Sequence, residues 1–146
     1  MAVNIVLADA LATPVNHTFV PIGPDANGVF WFEDTSPNGA AASLGSWRIS
    51  VQLKRPPVAQ AGVAAQGRTF RAVIGLHEPI LETLGTNTVS GIPPSPTVAY
   101  IPRCLAEYIL PDRASLQNRK DLRKMSANLF AEAQMIALVE TLVQPF

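Results

Sequence analysis

The run "WRISVQLKRPP" (47–57) limits the folds open to this chain more than any other stretch. Trp47, Ile49, Val51 and Leu53 alternate with Arg48, Ser50, Gln52 and Lys54. That period of two belongs to a strand whose faces meet different surroundings. Pro56 and Pro57 end it. A second run, "RTFRAVIGLHEPIL" (68–81), puts Phe70, Ala72, Ile74 and Leu76 on one face and Thr69, Arg71, Val73, Gly75 and His77 on the other. Paired as a hairpin, the two strands set their cations side by side above an apolar floor. Antiparallel sheets commonly bury one face and leave the other wet, so the polar face is free to work as a surface.

The rest of the chain supplies what the floor needs. "VNIVL" (3–7) and "HTFVPI" (17–22) predict an N-terminal hairpin over 1–22. "GPDANG" (23–28) is a turn, and "VFWFED" (29–34) a short strand. Loops follow at 36–46, 58–67 and 83–96, the last stiffened by prolines. "TVAYIPRCLAEYIL" (97–110) is a further strand with a bulge or edge at Pro102, which completes a sheet over 29–110.

Beyond Pro111 the pattern becomes helical to residue 143, with Asp112 or Ser115 as the N-cap. Leu122, Met125, Leu129, Ala133 and Ile136 share one helical face. A continuous helix over 115–143 would run roughly 43 Å at about 1.5 Å per residue. A compact monomer of this length is about 38 Å across. The helix therefore breaks, near Ser126–Asn128, or reaches onto a partner chain. The helices are expected to cover the Trp47 floor. The class is α+β, in one domain over 1–146.

Charge gives the first functional pointer. The 11 basic and 11 acidic residues cancel, but residues 1–47 hold four acids and no Lys or Arg, while all the basic residues follow. From 48 to 77 there are five cations and no acid, a field suited to a polyanion. Only 15% of the chain is charged, which predicts that other subunits cover much of the surface.

Catalytic and metal chemistry find no footing. Cys104, the single cysteine, lies in an alternating strand and reads as a small buried hydrophobe rather than a nucleophile with His77 as its base. "HEP" (77–79) lacks the second histidine of a zinc helix, and "GTNTVSG" lacks the Lys-Ser/Thr of a phosphate loop. No enzyme activity, cofactor or metal is expected. No stretch reaches the roughly 18 apolar residues of a membrane span, and the N-terminus lacks the basic region of a signal peptide.

In order, "NGVFWFEDTS", "SWRISVQLKRPP", "GRTFRAVIGLHEP", a long Gly/Pro loop, "TVAYIPRCLAEYILP" and a basic-then-apolar helical end resemble the coat proteins of the single-stranded RNA bacteriophages, the leviviruses and their relatives. The resemblance spans nearly the whole chain. It implies an N-terminal hairpin, a five-stranded antiparallel sheet and two C-terminal helices that interlock in a homodimer. It further implies an icosahedral shell assembled in the bacterial cytoplasm, with genomic RNA on the inner sheet face and a maturation protein as a further partner. In several members the same face binds a replicase-start hairpin and represses translation.

Carried over by position, Arg48, Ser50, Gln52 and Lys54 form one RNA-facing row; Thr69, Arg71 and Val73 form the next; Arg103, Leu105 and Glu107 form the last. Val29 and Trp31 stand at the edge, and loop 83–96 lies at the shell's symmetry axes. The chain departs from hairpin-binding members in one respect. At the place of their base-stacking tyrosine this face offers Arg103, while Tyr100 and Tyr108 have the opposite parity; a bulge at Pro102 could re-aim Tyr100 but not Tyr108. General packaging contacts are therefore the firmer expectation. The other reading is a dimeric RNA-binding regulator that never assembles.

Overall fold

A computed structural model describes residues 2–36, 43–62, 64, 67–82 and 95–144. The expected loop at 83–96 lies outside these residues except at its last two positions. The strands are β1 (Ile5–Ala8), β2 (Asn16–Pro24), β3 (Phe30–Asp34), β4 (Trp47–Lys54), β5 (Thr69–His77), β6 (Ile80–Leu81), β7 (Val98–Tyr100) and β8 (Arg103–Pro111). The helices are α1 (Leu116–Phe130) and α2 (Ala133–Glu140). The chain divides into two compact units, Met1–Pro56 with Phe70–Ile109, and Pro57–Thr69 with Leu110–Phe146.

The main sheet has six strands in the order β1-β2-β3-β4-β5-β8, one more than expected. The difference comes from β2, which changes partner midway. Residues 16–19 pair with β1, and residues 20–24 pair with β3 through a register shift between Pro21 and Gly23. The N-terminal hairpin is thus continuous with the sheet. Pro102 has no N–H to give a ladder, and here it splits the expected strand 97–110 in two. β7 leaves the main sheet and pairs with β6, Ile80 opposite Tyr100.

The apolar floor is real, and the N-terminal hairpin covers part of it. Phe19, Phe32 and Ile49 are buried together, with Ile5, Phe30, Trp47, Val51 and Leu76 packed around them. Phe19 comes from the first half of β2, so the N-terminal hairpin covers the β3–β4 part of the floor. No residue of either helix is buried in the single chain. Leu53 and Ile74, farther along the floor, stay exposed.

A polar clasp fixes the hairpin. His17 Nδ1–H donates to Asp34 Oδ2 at 2.8 Å, and the His17 ring stacks on Trp47 with centroids 4.6 Å apart. Asp34 also accepts from the Ser36 backbone N–H (2.9 Å) and hydroxyl (2.8 Å). Burial alone would raise the Asp34 pKa. The Ser36 and His17 hydrogen bonds outweigh it, and the carboxyl is held below its ordinary value.

In the second unit, Arg68 donates from Nη1 to the Pro57 carbonyl (2.7 Å) and from Nε to Asp112 (3.3 Å). Ser115, not Asp112, caps α1, its hydroxyl accepting from the Asn118 N–H at 3.1 Å. The helix breaks at Ala131–Glu132 rather than at Ser126–Asn128. There the Ala131 N–H turns back to the Asn128 and Leu129 carbonyls, and Glu132 is extended at ψ 139. Ser126, at the expected break, stays helical and bonds its hydroxyl to the Leu122 carbonyl (2.6 Å).

Candidate nucleic-acid interface

The β4–β5 register sets Arg48, Ser50, Gln52 and Lys54 opposite His77, Gly75, Val73 and Arg71. On the other side, Trp31 lies opposite Ser50 and Glu33 opposite Arg48. Arg71 Nη1 reaches Glu107 Oε1 of β8 at 3.4 Å, so Arg103, Leu105 and Glu107 share this face. Thr69 has the parity of Arg71 and Val73 on β5. The structure therefore brings Arg48, Ser50, Gln52, Lys54, Arg71, Val73, Arg103 and Glu107 onto one surface.

A glycine makes the centre of that surface possible. A Cβ on Gly75 would lie 2.5 Å from Ser50 Oγ, 2.8 Å from His77 Nε2 and 2.9 Å from Leu105 Cδ2. Without it, Ser50 Oγ and His77 Nε2 meet at 3.0 Å. Burial depresses the His77 pKa, and the neighbouring Arg103 and Arg48 charges depress it further. Both effects favour the uncharged imidazole.

The face is not free of acid. Arg48 pairs with Glu33 at 3.4 Å, as Arg71 does with Glu107. Lys54 and Arg103 have no ion pair among the described residues. Exposed pairs of this kind are worth about 0–1 kcal/mol, so a phosphate competes for the arginines at small cost. Gln52 is partly committed, because its Nε2–H donates to the Asn27 carbonyl of the β2–β3 turn at 2.9 Å.

Glu33 and His77 belong to the face although neither was expected in an RNA-facing row. The alternation of "VFWFED" carries the signal for Glu33, since it shares the parity of Trp31. Cys104 is exposed rather than buried, because β8 ends the strand order. Tyr108 has the parity opposite to Glu107 and faces away. Among the described residues no group of three or more His, Cys, Asp or Glu is placed to hold a metal, and no helix is long and apolar enough to cross a membrane.

Comparison with known proteins matches this arrangement to a family. The family model described as levivirus coat protein matches residues 1–146. Among solved structures, the virus-like particle of bacteriophage ESE058 is 49% identical, with a TM-score of 0.87 over 100% of this chain and 99% of that chain. The virus-like particle of bacteriophage NT-214 is 26% identical, with a TM-score of 0.78 over 99% and 98%. The bacteriophage GA protein capsid, at 22% identity, a TM-score of 0.64 and coverage of 98% and 95%, shares the fold. A search of curated proteins returns no match. The hairpin-capped sheet, the paired C-terminal helices and the full-length match agree, and the chain belongs to the levivirus coat protein family, a structural protein of the phage capsid and not an enzyme.

Proposed function

We propose that this coat protein forms homodimers that close into an icosahedral, virus-like shell, with the β3–β4–β5–β8 face turned inward against single-stranded genomic RNA. The observation that carries the RNA contact is the register, which gathers Arg48, Lys54, Arg71 and Arg103 on one face. Cations so placed neutralise phosphates and release counterions. Ser50 and Thr69 add hydrogen-bonding groups.

Dimerisation is supported by the helices. Leu122, Met125, Leu129, Phe130 and Val139 are all exposed in the single chain, and exposed apolar patches mark interaction sites. General packaging is favoured over recognition of one replicase hairpin, because Tyr108 faces away from the cationic surface and Tyr100 sits in the separate β6–β7 pair. Assembly in the bacterial cytoplasm with a maturation protein completes the reading.

The test is expression of the full chain in bacteria, followed by size exclusion, electron microscopy and absorbance at 260 nm. Uniform RNA-filled particles are expected. In Arg48→Glu with Lys54→Glu, dimers persist and packaged RNA falls several-fold. For each phosphate no longer neutralised, the salt slope of RNA binding becomes shallower by about 0.7. Unchanged RNA content would rule this face out as the contact surface. A small dimer that binds RNA without assembling would point to the free regulator instead.

A further inference from the structure

The chain has two histidines. His17 is engaged in the hairpin clasp, while His77 stands among the cations of the sheet face. Histidine changes charge near neutral pH, where arginines and ordinary carboxylates do not. The register sets His77 directly opposite Arg48 of β4. Its ring shares a lining with Trp31 of β3, Arg48, and Arg103 of β8, and that lining holds no carboxylate. The turn before β4 and strand β7 add only uncharged residues to it. Acids of the adjoining strands are engaged or turned away. Glu33 of β3 pairs with Arg48, and Glu107 of β8 pairs with Arg71. Glu78, next in the chain, lines a separate cavity with Asp9 and Trp47 of the floor.

The ring is seated so that it can carry either charge. Ser50 Oγ lies 3.0 Å from His77 Nε2. A hydroxyl can donate to a ring nitrogen or accept from its N–H, so protonation keeps this contact without moving the ring. Gly75 leaves room for it, since a Cβ there would stand 2.8 Å from Nε2. In the chain alone, burial and then the Arg103 and Arg48 charges hold the His77 pKa below its ordinary 6.5. A phosphate drawn to those two arginines reverses the electrostatic part. It offsets the charges that repel an imidazolium and adds one that attracts it. Linkage is reciprocal: if a bound polyanion tightens the hold on a proton, the proton tightens the hold on the polyanion by the same factor.

We propose that His77 is a proton-linked switch on this face: RNA drawn to Arg48 and Arg103 takes up a proton at His77, and the face holds RNA more tightly as the pH falls. The inference rests on the reading of the sheet face as the RNA surface, and adds to it a control by acidity. The gain is complete below the pKa of the RNA-free protein and is lost as pH rises through that of the RNA-bound protein.

Poly-uridylate is the probe, because its uracils and phosphodiesters keep a fixed charge over about pH 5–8, the window in which histidine titrates. At constant salt, the affinity of the full-length protein should rise as pH is lowered, about tenfold for each unit that separates the bound and free pKa values of His77. The salt slope should steepen by up to about 0.7, one further phosphate neutralised. His77→Gln, which keeps a group able to bond Ser50, should flatten both trends. NMR titration of the ring protons follows the two histidines separately in the unaltered chain, a check that does not depend on a variant folding. The His77 midpoint should move up when poly-uridylate is added, and the His17 midpoint should stay in place as the internal reference. A His77 midpoint that does not move, or a His77→Gln profile as steep as the unaltered one, overturns the switch. Arg48→Glu with Lys54→Glu separates the two levels of failure. Weakened poly-uridylate binding beside an unmoved His77 midpoint removes the switch alone, whereas undiminished binding removes the RNA face as well.

Discussion

Phe19→Ala is expected to lower the free energy of unfolding by about 3–5 kcal/mol, the usual cost of emptying a buried phenylalanine site. Phe19 is 1% exposed and packs with Phe32 and Ile49, so its ring is the main apolar link between the hairpin and the floor. Little can refill the space, because its neighbours Trp47 and Phe32 are held by the β3–β4 ladder. Val20, the next residue on β2, is 51% exposed. Val20→Ala should cost less than about 0.5 kcal/mol, as surface changes do. Urea unfolding at fixed protein concentration gives the contrast directly. Equal effects at the two positions would mean that the hairpin does not dock on the floor.

Asp34→Ala should cost about 3 kcal/mol. It strips the acceptor from three donors, the His17 ring N–H, the Ser36 hydroxyl and the Ser36 backbone N–H. Charged hydrogen bonds are worth about 1.5–3 kcal/mol each, and a buried donor left unpaired adds its own penalty. Some of that is recovered because Ser36 is exposed and water can replace its partner.

The effect depends on pH. Asp34 and Asp9 both have folded-state pKa values below their ordinary 3.8. Their ionised forms therefore favour the fold, fully so above the unfolded value, and the contribution disappears as pH falls through the lower folded values. The unaltered protein should hold its stability through mild acid and lose it only below about pH 4, while Asp34→Ala should show a flatter profile there. Urea midpoints across pH 2.5–7 measure both curves, and a parallel fall in the two would remove Asp34 from the account.

The cationic face could be read from the sequence because parity alone decides which residues share a face. Arg48, Ser50, Gln52 and Lys54 had to point one way and Trp47 and Ile49 the other. Parity does not give register, and so it concealed that Glu33 lands opposite Arg48 and that Glu107 meets Arg71. It also could not say which element covers the floor. That depends on β2 leaving β1 for β3 between Phe19 and Val20, a change marked only by Pro21 and Gly23. Ser115 announced itself as a cap and Pro102 as a break. Ala131–Glu132 did not, since neither residue is a helix breaker and the turn is made by backbone carbonyls at Asn128 and Leu129.

The strand order has a consequence for synthesis. From β1 to β5 every neighbour in the sheet is also the next strand in the chain, so five strands can close as a meander while the ribosome is still working. Pairings of that local kind close quickly. Only β8 must wait, and the helices with their exposed leucines emerge after it. The exposed apolar surface of the helices is thus made only after the five strands of the meander, which shortens the interval between its appearance and the arrival of whatever covers it.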